Sequence, residues 1–147
     1  MKTGSKARAA ARLAAVQALY QHEMEGTRLE QLLDEFHMHR LGAEIEDDQY
    51  VEADVRFFDD VVAGAIARSS EIDDLLADRL ASGWKIERLD RTMLQILRAG
   101  AYELLARPDV PTRSVINEYL DVAHAFFEER EAKFVNGVLD AVGKQVR

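Results

Sequence analysis

A chain of 147 residues can bury one substantial core but is short for two ordinary domains, and 48% apolar residues exclude a disordered chain. The absence of cysteine excludes a disulfide scaffold, a thiol nucleophile and a zinc-thiolate site, and fits a reducing, cytoplasmic setting. A net charge of −8 argues against a general nucleic-acid binder.

The charge is unevenly spread. Lys2, Lys6, Arg8 and Arg12 make residues 1–22 +4, which leaves −12 over residues 23–147. A basic edge can touch a phosphate chain locally, and an acidic body suits a basic protein partner.

The opening stretch "MKTGSKARAAARLAAVQALY" is basic, alanine-rich and acid-free, as transit peptides are. Arg8 and Arg12 interrupt any signal-type apolar core, and the periodic pattern continues into "QHEMEG". The segment is therefore read as a first helix over about 5–25, with Leu13, Val16, Leu19 and Tyr20 on one side and Gly26-Thr27 as its stop. A second helix over about 28–40 carries Leu29, Leu32, Leu33 and Phe36, and "LGAEIEDDQY" at 41–50 reads as a polar connection. A third, over about 52–68, places Val55, Phe58, Val61, Val62, Ala65 and Ile66 at i, i+3, i+4 spacings.

Ser70 and Asp73 have the spacing of a capping box, which opens a fourth helix to about 81, ended by Ser82-Gly83. A fifth over about 88–106 holds Leu89, Met93, Ile96, Leu97, Gly100, Tyr102 and Leu104. Pro108 and Pro111 mark the next connection, and Thr112 is the expected cap of a sixth helix carrying Val115, Ile116, Leu120, Ala123 and Phe127. The stretch "EEREAKFVNGVLDAVGKQVR" gives the seventh. No apolar run approaches 18 residues, so no membrane span is expected. The result is an all-α reading, a compact bundle of about seven helices forming one domain over 1–147.

Asn136-Gly137 is a strong hairpin signal set inside this last helical pattern. At about 100° per residue, Val135, Leu139, Val142 and Val146 cluster within roughly 60°, and Phe134 and Asn136 flank them at about 100° on either side. Gly137 falls on the far side and is read as a position for close approach. Phe134 beside Lys133 is either an edge-of-core residue, which the wheel alone favours, or an aromatic that stacks on an unpaired base while the cation meets phosphate. Arg8 and Arg12, at i and i+4 with Lys6 nearby, are either a basic ridge along a nucleic-acid backbone or a solvated helix face.

His37 and His39 point about 200° apart on a helix and do not converge on one metal. Asp59-Asp60 and Asp73-Asp74 are neighbours that do not face each other. There is no glycine-rich phosphate loop, serine elbow or HExxH motif. The residues thus predict a binding protein, not an enzyme, with no cofactor and no metal site.

Four segments, "ARLAAVQALYQHE" (11–23), "AGAYELL" (99–105), "VPTRSVINE" (110–118) and "KFVNGVLD" (133–140), resemble in order and spacing the NusB family of bacterial transcription antitermination factors. The resemblance covers essentially the whole chain. It implies two helical subdomains and a non-catalytic role in transcription regulation. It further implies a heterodimer with NusE, a small-subunit ribosomal protein, that binds boxA RNA of nascent ribosomal RNA transcripts within an RNA polymerase antitermination complex. By position it implies RNA-binding roles for Lys6, Arg8, Arg12 and Tyr20 from the first helix, and for Lys133, Phe134 and Asn136 from the last. Gly137 would be a packing position.

The chain departs from the family at Ala9, Ala10 and Ala11, where a denser arginine cluster is common. That predicts about 1–2 fewer ion contacts in the salt dependence of binding. A second departure is "LDRTM" at 89–93, near a surface that the resemblance assigns to NusE. Two alternatives remain. One is the NusB-like helical module at the start of some ribosomal RNA methyltransferases, which would need an α/β domain beyond Arg147. The other is a homodimer, as some family members form, with its RNA surface buried.

Overall fold

The computed structural model describes the backbone of residues 2–39, 54–80 and 84–147, with side chains from Lys6 onward. Among these residues there are seven α-helices and one 3₁₀ turn, and no strand. They are α1 (Lys2–Glu25), α2 (Leu29–His39), α3 (Val55–Ala67), α4 (Ser69–Arg79), the turn Ile86–Arg88, α5 (Arg91–Ala106), α6 (Thr112–Phe126) and α7 (Glu129–Val146). The backbone divides into two compact units, 1–64 and 65–147, so the division falls within α3. The expected polar connection at 41–50 and the expected helix stop at Ser82-Gly83 lie outside the described residues.

In the first unit, α1 turns into α2 at Gly26, whose φ of 71° is left-handed backbone that suits a residue without Cβ. Side chains fix that turn. The Gln21 amide donates to Glu35 Oε1 at 2.9 Å, and His22 Nδ1 lies 2.8 Å from the Thr27 carbonyl oxygen. The core joins Ala11, Ala14, Ala15, Val16, Ala18 and Leu19 of α1 to Leu32 and Phe36 of α2 and Phe57, Phe58, Val61 and Val62 of α3. The Phe36 and Phe58 rings stack at 5.5 Å. Burying each such ring contributes about 1.5–3 kcal/mol. Val55, expected on the buried stripe of α3, is 39% exposed at the helix's first turn.

The second unit is built around α5. Eleven of its residues are buried, from Met93 to Leu104, because α4, α6 and α7 all pack against it. A helix enclosed in this way must be apolar nearly all round, and its polar exceptions are satisfied. Fully buried Glu103 accepts a 2.5 Å hydrogen bond from the Tyr119 hydroxyl of α6. Asp90 caps α5 through Oδ1, which accepts from the Thr92 and Met93 N–H groups at 2.8 and 3.1 Å.

At the other end of α5, the Arg147 guanidinium uses five N–H donors. It reaches the carbonyls of Glu103, Leu104, Arg107 and Val110 and the Thr112 hydroxyl at 2.7–3.2 Å. A cation at a helix C-terminus also complements the helix dipole.

Two expected caps are not formed. The N-cap of α4 is Arg68, with no side-chain capping hydrogen bond; the Asp73 carboxylate is engaged elsewhere, held by Arg98 of α5 through two 2.9 Å bonds. Pro111, not Thr112, precedes α6; its φ of −59° leads into the helix while the Thr112 hydroxyl accepts from Arg147. A capping box does form at α7, between Glu128 and Glu131.

The glycine reading is also reversed. A Cβ on Gly137 would meet nothing within 4 Å, so this position is open and not a close-packing contact. The close approach is at Gly100, where a Cβ would lie 2.9 Å from Leu139 Cδ1 of α7 and 3.4 Å from Tyr119 Cδ2 of α6. Opposite outcomes are therefore expected in urea denaturation. Gly137→Ala should stabilise the protein by about 0.5–1 kcal/mol through helix propensity alone. Gly100→Ala should destabilise it, since an overpacking cost of about 1–3 kcal/mol exceeds that gain.

Candidate nucleic-acid interface

In the first unit, the basic start of α1 is organised by Phe57. The Arg8 and Arg12 guanidinium carbons lie 4.6 and 4.8 Å from the centroid of its ring. Each such cation–π contact contributes about 0.5–2 kcal/mol, more as the pair is desolvated. The two arginines therefore stand together, as the i, i+4 spacing requires, but in different environments. Arg12 is only 4% exposed. A buried cation persists only where it is compensated, and the Phe57 ring supplies part of that compensation. Arg8 is half-exposed, and Lys6 is exposed.

Asp54 ties this group to α3. Its N–H donates to the Ala7 carbonyl at 3.0 Å, and its Oδ1 accepts from the Phe57 N–H at 3.0 Å as the cap of α3. Its Oδ2 lies 3.6 Å from Arg8 Nε. Tyr20 is exposed on the same helix, about 12 Å of helical rise beyond Arg12, and is not part of the Phe57 group.

In the second unit, Lys133, Phe134 and Asn136 lie on the first half of α7. Lys133 is exposed, and Phe134 and Asn136 are half-buried. Asn136 Oδ1 is buried and has no hydrogen-bond partner among the described residues. The Phe134 ring rests against Trp84, with centroids 5.8 Å apart and planes tilted by 39°. The two rings border a groove of about 530 Å³ whose walls include Arg88, Met93, Phe127 and Arg130.

Glu131, on the same groove, closes the α7 capping box by accepting from the Glu128 N–H at 3.2 Å. Its own backbone N–H chiefly holds its carboxyl below the ordinary value of 4.5; desolvation opposes this, and the Arg130 guanidinium and the Glu128 N–H add smaller lowering effects.

Sequence reasoning placed the cations and Phe134 but missed Phe57, Asp54 and Trp84. Phe57 sits one residue off the expected stripe of α3. The adjacent pair Phe57-Phe58 was the available signal, because two neighbouring aromatics on one helix face different directions. Trp84 is the single tryptophan of the chain, next to Lys85. Among the described residues, no group of three or more His, Cys, Asp or Glu side chains could hold a metal ion. No described helix is long and apolar enough to cross a membrane.

The fold and site together define an all-α protein of two compact helical units, each presenting cations beside aromatic rings. The model of the NusB family matches residues 9–144, and the chain belongs to the NusB family. It is 75% identical over 142 residues to the transcription antitermination protein NusB of Novosphingobium aromaticivorans, covering 97% of this chain and 96% of that protein. It is 64% identical over 147 residues to the protein of the same description from Sphingopyxis alaskensis, covering 100% and 99%.

Among solved structures, T. maritima NusB is similar at 32% identity and a TM-score of 0.75, covering 94% of this chain and 91% of that one. A complex of the antitermination factors NusB and NusE with dsRNA contains a chain similar at 27% identity and a TM-score of 0.78, covering 95% and 98%.

The Glu131 arrangement has a defined pH signature. A carboxyl lowered in the folded state stabilises the fold above its unfolded pKa, and that contribution is lost as pH falls through the folded value. An NMR titration of Glu131 should give a midpoint below 4.5, and Arg130→Ala should move that midpoint upward. An unmoved midpoint in the variant would leave the backbone bonds as the whole cause.

Proposed function

We propose that this chain is a non-catalytic, cytoplasmic transcription antitermination factor. It acts as one domain over 1–147 and binds boxA RNA of nascent ribosomal RNA transcripts as a heterodimer with NusE, within an RNA polymerase antitermination complex. The reading rests chiefly on full-length identity of 64–75% with transcription antitermination proteins. The solved complex of NusB and NusE with dsRNA, similar over 95% of this chain, supports both partners. The −12 charge of residues 23–147 suits a basic ribosomal protein.

In this reading Lys6 and Arg8 meet phosphates, while Arg12 holds the base of that cluster through Phe57. Lys133 meets phosphate beside Phe134, which stacks on an unpaired base. Tyr20 offers a further exposed ring, and Asn136 an amide whose oxygen has no hydrogen-bond partner among the described residues. Arg8 exchanges Asp54 for a phosphate when RNA arrives. The exposed ion pair at 3.6 Å is weak enough for such an exchange.

A titration of labelled boxA RNA against a scrambled control, with and without NusE at one fixed salt concentration, tests the reading. Tighter binding to boxA that increases with NusE is expected. Equal, weak binding to both RNAs, unmoved by NusE, would overturn it and turn attention to self-association.

Two variants probe the basic cluster. Arg8→Ala should flatten the salt dependence by about one phosphate contact, a slope change of roughly 0.7–0.9. Asp54→Asn keeps an equivalent N-cap but removes the competing charge. Binding should tighten by up to about fivefold, the range of an exposed ion pair. Unchanged binding would remove Asp54 from the site. On the second unit, Phe134→Ala should weaken RNA binding and leave the thermal midpoint within a few degrees, since the ring is only half-buried. A large loss of stability would return Phe134 to the core.

A further inference from the structure

Trp84 is 55% exposed, although tryptophan is the largest apolar side chain and the chain contains only one. It precedes the 3₁₀ turn that leads into α5 and leans on Phe134 of α7. We propose that Trp84 is a second base-stacking residue, which extends the Phe134 surface into a two-ring platform for one unpaired base of a single-stranded RNA. This inference rests on the RNA-binding reading above and adds a residue and a subsite to it.

Three observations carry it. First, the rings are already in contact at 5.8 Å and tilted by 39°, so no base fits between them. The open face of Trp84 is the stacking surface, and the groove of about 530 Å³ beside it accommodates a nucleotide. Second, guanidinium groups and carboxylates both line the groove, and the carboxylates hold backbone N–H groups. The Asp90 carboxylate is committed to the N–H groups of Thr92 and Met93, and that of Glu131 to the Glu128 N–H. The groove also carries two guanidinium groups, Arg88 on one wall and Arg130, which is 93% exposed and pairs with Glu131 Oε2 at 3.3 Å, on the other. An aromatic platform flanked by guanidinium groups matches a base with its adjoining phosphates. Third, the groove is continuous with Phe134, the aromatic already assigned to RNA.

The single tryptophan makes the test direct, because intrinsic fluorescence reports on Trp84 alone. A single-stranded boxA oligonucleotide is titrated while its binding is followed by the anisotropy of a label on the RNA. An oligomer of equal length with abasic positions supplies the phosphates without the bases. We expect quenching that saturates together with the anisotropy for the RNA, and little quenching by the abasic oligomer even where it binds. Trp84→Ala and Trp84→Leu should each weaken RNA binding by about tenfold or more, as loss of one stacked base does. Trp84→Phe should restore most of it, because stacking needs a ring and apolar packing does not.

RNA binding by anisotropy with unchanged Trp84 fluorescence would overturn this inference and leave the functional reading intact. Absence of RNA binding would sink both. Equal quenching by the abasic oligomer, or quenching by NusE without RNA, would reassign the groove to phosphate or to a protein surface and overturn the proposal.

Discussion

Helix α5 must be buried on nearly every side, and the rest of the second unit follows from that constraint. An enclosed helix cannot leave its terminal peptide groups or its polar side chains to water. Asp90 serves the free N–H groups at one end, and Arg147 serves the free carbonyls at the other. Glu103, in the middle, is tolerated because Tyr119 donates to it from α6. Each of these partners comes from a different part of the chain. The position of α5 therefore fixes the approach of α6 and the end of α7 at once. Gly100 completes the constraint by letting Leu139 sit against the α5 backbone. The start of α7, where Phe134 and Lys133 lie, is thereby placed by contacts made further along the same helix.

Helix number and type were legible because the apolar residues recur at helical spacing through every described element. Capping was not legible, for a physical reason. Ser70 and Asp73 satisfy the spacing rule for a box, yet Asp73 gains more from a two-point pair with Arg98, and that arginine is 25 residues away. Local rules fail where a long-range partner offers a stronger bond. The glycines teach the same lesson. Asn136-Gly137 draws attention because the pair contradicts its surroundings, but Gly137 faces open space. Gly100, unremarkable in its own segment, has no room for a Cβ. Which glycine is needed depends on the residue opposite, and that is a tertiary fact.

The candidate site was legible in its cations and its last-helix aromatic, and illegible in what holds them. Arg8 and Arg12 look equivalent in sequence. In the fold, one is half-exposed beside a carboxylate and the other is 4% exposed over a ring. Phe57 and Asp54 make that difference, and both come from the start of α3, far from α1 in the chain. A double arginine-to-alanine change would mix a binding effect with the loss of a buried cation. Arg8 is the cleaner probe of phosphate contact for this reason.

The same distinction governs how the whole charge pattern should be understood. Several arginines of the second unit are internal staples. Arg91 folds back onto the carbonyls of Ile86 and Leu89, Arg98 holds Asp73, and Arg147 closes the end of α5. A guanidinium committed to backbone carbonyls is not available to a phosphate, so counting basic residues overstates the nucleic-acid surface. Of the cations outside these staples, a smaller set lies beside an aromatic ring, with Arg8 on one unit and Arg88, Arg130 and Lys133 on the other. The ring is Phe57 in the first unit, and Trp84 with Phe134 in the second. On a protein of net charge −8, non-specific attraction to a phosphate chain is weak. In the proposed reading, affinity then comes from stacked bases and from a second protein that adds contacts. Selectivity, in the same reading, arises from the bases that Phe134 and Trp84 stack, not from charge.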